Sequence, residues 1–167
     1  MRRICLGIDP GLGRLGYGVA IEESSILRAG EFGCITTDPG TPVEVRILHI
    51  HEGLCPLLER TKPDLLSVER LFFGKNTTTA ENVFQVRGVV LFLAARHGIP
   101  VVQPKPSEVK LAVCGNGRAE KSQVQKMVFR ILQLESVPRQ DDAADALAIA
   151  VTGLAMSDFR RKTKSGD

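Results

Sequence analysis

Four acidic residues occupy positions where a folded chain rarely tolerates an unpaired charge. Asp9 closes the apolar run Ile4-Cys5-Leu6-Gly7-Ile8, and Glu69 closes Leu65-Leu66-Ser67-Val68. Asp142 and Asp145 stand three apart in Asp141-Asp142-Ala143-Ala144-Asp145-Ala146-Leu147-Ala148, a stretch otherwise made of alanine and leucine. A carboxylate at the end of a buried strand must accept hydrogen bonds, meet a cation or open onto a cleft. Each acid also has a plain explanation. Asp9 could open the Pro10-Gly11 turn, Glu69 could pair with Arg70, and Asp141 or Asp142 could cap a helix. Capping does not account for Asp145, which comes after the first turn. The i, i+3 spacing puts Asp142 and Asp145 on one helical face. If that face meets the ends of both strands, the carboxylates form a single cluster.

Four like charges within several ångströms stay ionised together only when cations neutralise them. Ligands that are all oxygen select hard divalent ions, magnesium or manganese. Two such ions about 4 Å apart activate a water on one side of a phosphodiester and stabilise the leaving oxygen on the other. The acids therefore point to metal-assisted phosphodiester hydrolysis, which requires no histidine.

The elements that must position them follow from periodicity. The run ending at Asp9 predicts a buried strand, and Gly16 to Glu22 and Ile26 to Thr36 two more, folded as an antiparallel meander around Glu23-Ser24-Ser25. Thr41-Pro42-Val43-Glu44 predicts a helix start, with Thr41 as N-cap, Pro42 at the first helical position and Glu44 completing a capping box. That helix should run to about Arg60 on a stripe of Ile47, Leu48, Ile50, Leu54 and Leu58, with a kink at Pro56. A crossover helix sets the runs ending in Asp9 and Glu69 parallel and adjacent, with both acids at their carboxyl ends. After a loop carrying Phe72, Phe73 and Lys75, a helix runs from Thr78 to Gly98. It is apolar on nearly every side between Val83 and Ala95, so it is central to the core or shared with a partner subunit. A strand over Pro100 to Gln103, a helix from Ser107 to Cys114, another from Glu120 to Leu134 and the acidic helix from Asp141 to about Ser157 complete the chain. Residues 1–158 read as one domain, and 159–167 as a disordered basic tail.

Composition sets the class. The chain has 167 residues, 43% apolar and 25% charged, as an ordinary globule does. No apolar run spans a bilayer, and Met1-Arg2-Arg3 leads into a strand and not a secretory segment, so a cytoplasmic location is the default. The four cysteines form no Cys-x-x-Cys pair and read as reduced core residues. A net charge of +3 is weak evidence for a nucleic-acid partner. The concentration of Lys105, Lys110, Arg118, Lys121, Lys126 and Arg130 in the second half says more, although a solvated helix face would explain it too.

Taken together, Gly7-Ile8-Asp9-Pro10-Gly11 with Gly16-Tyr17-Gly18, Val68-Glu69, Val109-Lys110, Ala119-Glu120-Lys121-Ser122-Gln123-Val124 and Asp142-Ala143-Ala144-Asp145-Ala146-Leu147-Ala148 resemble the motifs of the RuvC family of Holliday junction resolvases, in order and across nearly the whole chain. The resemblance implies an α/β, ribonuclease-H-like fold, a mixed sheet of five strands flanked by helices. It assigns the catalytic, metal-binding carboxylates to Asp9, Glu69, Asp142 and Asp145, holding two magnesium ions for which manganese can substitute. It places Lys110 and Lys121 near the scissile phosphate, with Lys121 catalytic, and gives an aromatic after Glu69, Phe72 or Phe73, a role against junction bases. Lys75 and Arg118 are further candidates for DNA contact.

The implied activity is resolution of four-way DNA junctions by paired symmetric nicks, in recombination and repair. The implied partners are a second copy of the chain and the branch-migration proteins RuvA and RuvB. A non-catalytic junction scaffold of the same fold would have lost some of the acids. An actin-like ATPase needs two lobes and a second phosphate loop, for which this chain is too short. A nuclease for other branched nucleic acids is the serious alternative.

Overall fold

The computed structural model describes residues 2–70, 77–135 and 141–164, with 77–79 and 159–164 as backbone only. Five strands form one sheet in the order β3-β2-β1-β4-β5. They are β1 (Arg2–Asp9), β2 (Arg14–Glu23), β3 (Ile26–Thr36), β4 (Leu65–Val68) and β5 (Val101–Val102). The first three form the expected antiparallel meander, and β4 and β5 run parallel to β1. The helices are α1 (Val43–Thr61), α2 (Thr77–Arg96), α3 (Pro106–Cys114), α4 (Lys121–Ile131) and α5 (Asp141–Lys164). None is long and apolar enough to cross a membrane.

The two faces of the sheet carry two cores. Leu6, Ile8, Leu15, Val19, Leu66 and Val68 pack with Ile50, Leu54 and Leu57 of α1 and Val86, Val90 and Leu93 of α2. On the other face Cys5, Ala20 and Leu65 meet Leu147, Ile149 and Val151 of α5, backed by Val109, Val113, Val124 and Val128 of α3 and α4.

Local details depart from the expectations at several points. The helix α1 starts at Val43 with no side-chain cap. The Thr41 hydroxyl donates instead to the Asp38 carbonyl at 2.8 Å, so the turn before the helix takes the group that the capping box needed. Leu48 is 53% exposed and Leu57 is buried in its place, which rotates the stripe. As expected, α1 continues through Pro56, ending at Thr61. The end of α5 moves from Ser157 to Lys164, so the segment expected to be disordered is helical that far. No Gly or Pro interrupts Phe159-Arg160-Arg161-Lys162-Thr163-Lys164, and Arg and Lys are good helix formers.

α5 lies unusually close to the sheet. A Cβ on Gly7 would stand 2.1 Å from the Ala146 carbonyl oxygen, and one on Gly16 would stand 2.1 Å from that of Asp142. Only hydrogen in place of a side chain admits the helix at this depth. Ala143, Ala146 and Ala150 supply the matching small residues on α5, all buried.

Candidate active site

Parity along the strands decides which side chains enter the site. On β1, Leu6 and Ile8 join the α1/α2 core, so Cys5, Gly7 and Asp9 face α5. On β4, Leu66 and Val68 join the same core, so Leu65, Ser67 and then Glu69 face α5. The parallel register pairs Ile8 with Val68, which sets Asp9 beside Glu69 one residue further on. α5, seated on Gly7 and Gly16, brings its acids to the same end of the sheet.

Asp9, Glu69 and Asp145 line one cavity of about 180 Å³, together with Lys110, Lys121 and the apolar side chains of Val109, Val124 and Ile149. Asp142 is not in this lining. Its Oδ2 lies 3.0 Å from Nη1 of Arg14, at the start of β2. Arg118 is exposed in the turn before α4, where its backbone N–H donates to Asn116 Oδ1 at 3.0 Å. Phe72, Phe73 and Lys75 lie outside the described residues. A second cavity, of about 210 Å³, opens at the other end of β1 and β4, where Arg3 is committed to Glu22 and Asp158.

The charges are strained in the way a cation would relieve. The Asp9 carboxyl is pushed up to about 6, first by burial, then by the charges of Asp145 and Asp142, with Lys121 opposing. Burial, then Asp9 and Asp145, push Glu69 up to about 7. Lys121 is raised, mainly by its hydrogen bond to Asp145, whose Oδ2 is 2.8 Å from Nζ. Asp141 stands 3.8 Å from the same nitrogen. Lys121 is the first residue of α4, where the helix dipole disfavours a cation. Its position therefore answers to the acids and not to the helix.

The carboxylates suit a hard divalent ion in chemical kind, since every donor is oxygen and, among the described residues, Asp9 and Glu69 have no protein cation paired to them. Among the described residues no three acids, cysteines or histidines stand close enough to form a ready cage. Lys121 and Arg14 hold Asp145 and Asp142 instead. An ion would draw these two acids off their basic partners.

A stability prediction follows from the two raised carboxyls. Their folded-state values lie above the ordinary 3.8 and 4.5, so the folded protein binds more protons than the unfolded chain between about pH 4 and 7. In chelator, stability should fall as pH rises through that window, by up to about 6 kcal/mol for the two groups together, roughly 3 for each. Melting curves from pH 4.5 to 8 for wild type and Glu69→Gln check it. The variant should lose part of the slope, and identical slopes would sink the electrostatic account.

Arg14 was not among the residues singled out from the sequence. Its one signal was position, a base shortly after the Asp9 loop, and nothing in that spacing says that β2 carries it to Asp142. The loop itself is tied down. The Thr37 hydroxyl donates to the Leu12 carbonyl at 2.5 Å, and Arg46 Nε donates to Thr37 Oγ1 at 2.8 Å. Those bonds fix the backbone immediately after Asp9.

Comparison with known proteins gives this arrangement its context. Residues 5–153 match the sequence profile of the family described as crossover junction endodeoxyribonuclease RuvC. The chain is 50% identical over 147 residues to crossover junction endodeoxyribonuclease RuvC of Brevibacillus brevis, covering 88% of this chain and 89% of the relative. It is 51% identical over 146 residues to the Chloroflexus aggregans protein of the same name, covering 87% and 89%. Among solved structures, T. thermophilus RuvC in complex with Holliday junction substrate superposes with a TM-score of 0.88 at 35% identity, over 94% of this chain and 96% of that one.

Proposed function

This chain belongs to the RuvC family of crossover junction endodeoxyribonucleases, and from that premise we propose that it resolves four-way DNA junctions by metal-assisted hydrolysis of opposed phosphodiesters. The observation that carries the reading is the meeting of Asp9, Glu69 and Asp145 with Lys110 and Lys121 in one cavity at the carboxyl ends of β1 and β4.

Asp9, Glu69, Asp142 and Asp145 are the residues that would hold the divalent ions, two magnesium ions with manganese as a substitute. When bound, such ions supply a nucleophilic water at neutral pH and a Lewis acid on the leaving oxygen. Lys121 is held by its hydrogen bond to Asp145 and is free to turn to a phosphate once Asp145 is claimed. Lys110, in the same lining, presents a second ammonium to the DNA backbone. Val109, Val124 and Ile149 give the cavity an apolar side that strengthens every charge interaction within it. Arg118, Lys75 and one of Phe72 or Phe73 are proposed contacts to the junction outside the cavity.

A four-way junction is close to two-fold symmetric, so a two-fold dimer presents one cavity to each of two opposed strands. α2 favours such a dimer. It buries Val86, Val90, Leu93 and Ala94 on the sheet and leaves Phe92 60% exposed. Paired nicks by such a dimer, in the cytoplasm and alongside RuvA and RuvB, would serve recombination and repair.

The test is cleavage of a mobile four-way junction with magnesium, beside linear duplex, a three-way junction and an RNA hybrid. Symmetric nicks confined to the four-way junction and lost in chelator are expected. Equal cutting of all four substrates would move the function to a general nuclease.

A further inference from the structure

One residue beyond Glu69, toward the α2 side of the sheet, lies a basic pair with no acid to answer it among the described residues. Arg70 directly follows Glu69, is exposed, and its backbone N–H donates to the Pro104 carbonyl at 2.8 Å. That bond joins the end of β4 to the segment after β5. Arg87 reaches the same segment from α2 and donates through Nη2 to Gln103 Oε1. Its Nε is buried without a hydrogen-bond partner. Among the described residues neither guanidinium is ion-paired. The stretch Leu71 to Thr79 cannot supply the missing charge, because it contains Lys75 and no acid.

This arrangement is unfavourable in the free protein. Burial and the Arg70 charge both press the Arg87 guanidinium toward its neutral form, and an unmet buried donor adds its own penalty. A bound anion would relieve the repulsion between the two guanidiniums. Two planar guanidiniums, each able to donate a pair of parallel N–H groups, suit the oxygens of a phosphate. The chain connection through Glu69-Arg70 ties the pair to the cavity where the scissile phosphate is proposed to sit. We infer that Arg70, Arg87 and Gln103 form a seat for a second DNA backbone phosphate beside the cleavage site, with Gln103 orienting the Arg87 fork. The inference rests on the reading of this chain as a DNA junction nuclease.

The experiment is fluorescence anisotropy of a labelled four-way junction and of linear duplex, in chelator, across a salt series. The proteins are the wild type, Arg70→Gln, Arg87→Gln and Arg87→Lys. Each Gln variant should bind the junction about tenfold more weakly and flatten the slope of log K against log salt by about 1.8, roughly 0.9 for each of the two seats of the dimer. Arg87→Lys should restore most of the slope while recovering less of the affinity, because it keeps the charge without the fork. Melting curves serve as control, and Arg87→Gln should melt no lower than wild type because it removes an unpaired cation. Unchanged affinity and slope in both Gln variants would overturn the seat. So would a shift from dimer to monomer in sedimentation with the slope intact, which would make the pair a contact for an acid of the second copy. Should wild type bind duplex as tightly as the junction, the resolvase reading fails, and the slopes on duplex still decide the seat.

Discussion

Asp9→Asn should abolish strand cleavage, by about a thousandfold or more, while junction affinity stays equal to wild type or rises. The amide keeps the shape of the carboxyl and removes its charge. An ion held by Asp9, Glu69 and Asp145 would lose its ligand at the end of β1. Binding should not suffer, because one fewer negative charge faces the phosphates. The variant should also melt higher than wild type at pH 7.5 in chelator, since the Asp9 charge is disfavoured by burial and by Asp145 and Asp142. The three readouts separate the explanations. Lost cleavage with retained binding and a raised Tm means a ligand role. Lost cleavage with a lowered Tm and lost binding means that Asp9 serves folding. Cleavage within a few-fold of wild type would remove Asp9 from the machinery.

Gly7→Ala should have a large structural effect for a single methyl group. The added Cβ would meet the Ala146 carbonyl oxygen at 2.1 Å and the Ala150 nitrogen at 2.5 Å, both backbone atoms of α5. Neither can move without the helix. Overpacking of this kind costs on the order of 3 kcal/mol, a drop in Tm of roughly 10 °C for a chain of this size. Any folded fraction should cleave poorly, since lifting α5 also lifts Asp142 and Asp145 from Asp9. Gly88→Ala is the control. A Cβ there meets nothing within 4 Å, and the position is exposed on α2, so helix propensity should leave it neutral or slightly stabilised. A Gly7→Ala protein that melts and cuts like wild type would mean that α5 is not seated as described.

Restoring the charge balance links these two results. The acids are buried and crowded because α5 sits deep on Gly7 and Gly16, and burial, with the neighbouring charges added to it, raises Asp9 and Glu69 toward neutrality. Lys121 and Arg14 offset part of it by pairing with Asp145 and Asp142. A cavity built this way is poised for cations, at a cost to the stability of the free protein. Function-bearing sites commonly carry such a cost.

The local pattern of the chain determined a good deal by itself. Two apolar runs that each end in an acid, with a helix between them, define parallel neighbours, and the period of two along a strand then sends both acids to one face. The i, i+3 spacing of Asp142 and Asp145 likewise depends only on the helix. Boundaries were less legible where two groups compete for one partner, as at Thr41, whose hydroxyl serves the turn and not the cap. Long-range pairings could be decided only by the folded chain. Arg14 meets Asp142, and among the described residues Arg70 and Arg87 are left without acids, because β2, α2 and the segment after β4 carry those side chains together from distant parts of the sequence. The depth of α5 is of the same kind. A glycine in a sequence shows no partner, and only packing reveals that the space of its missing side chain is filled by a helix.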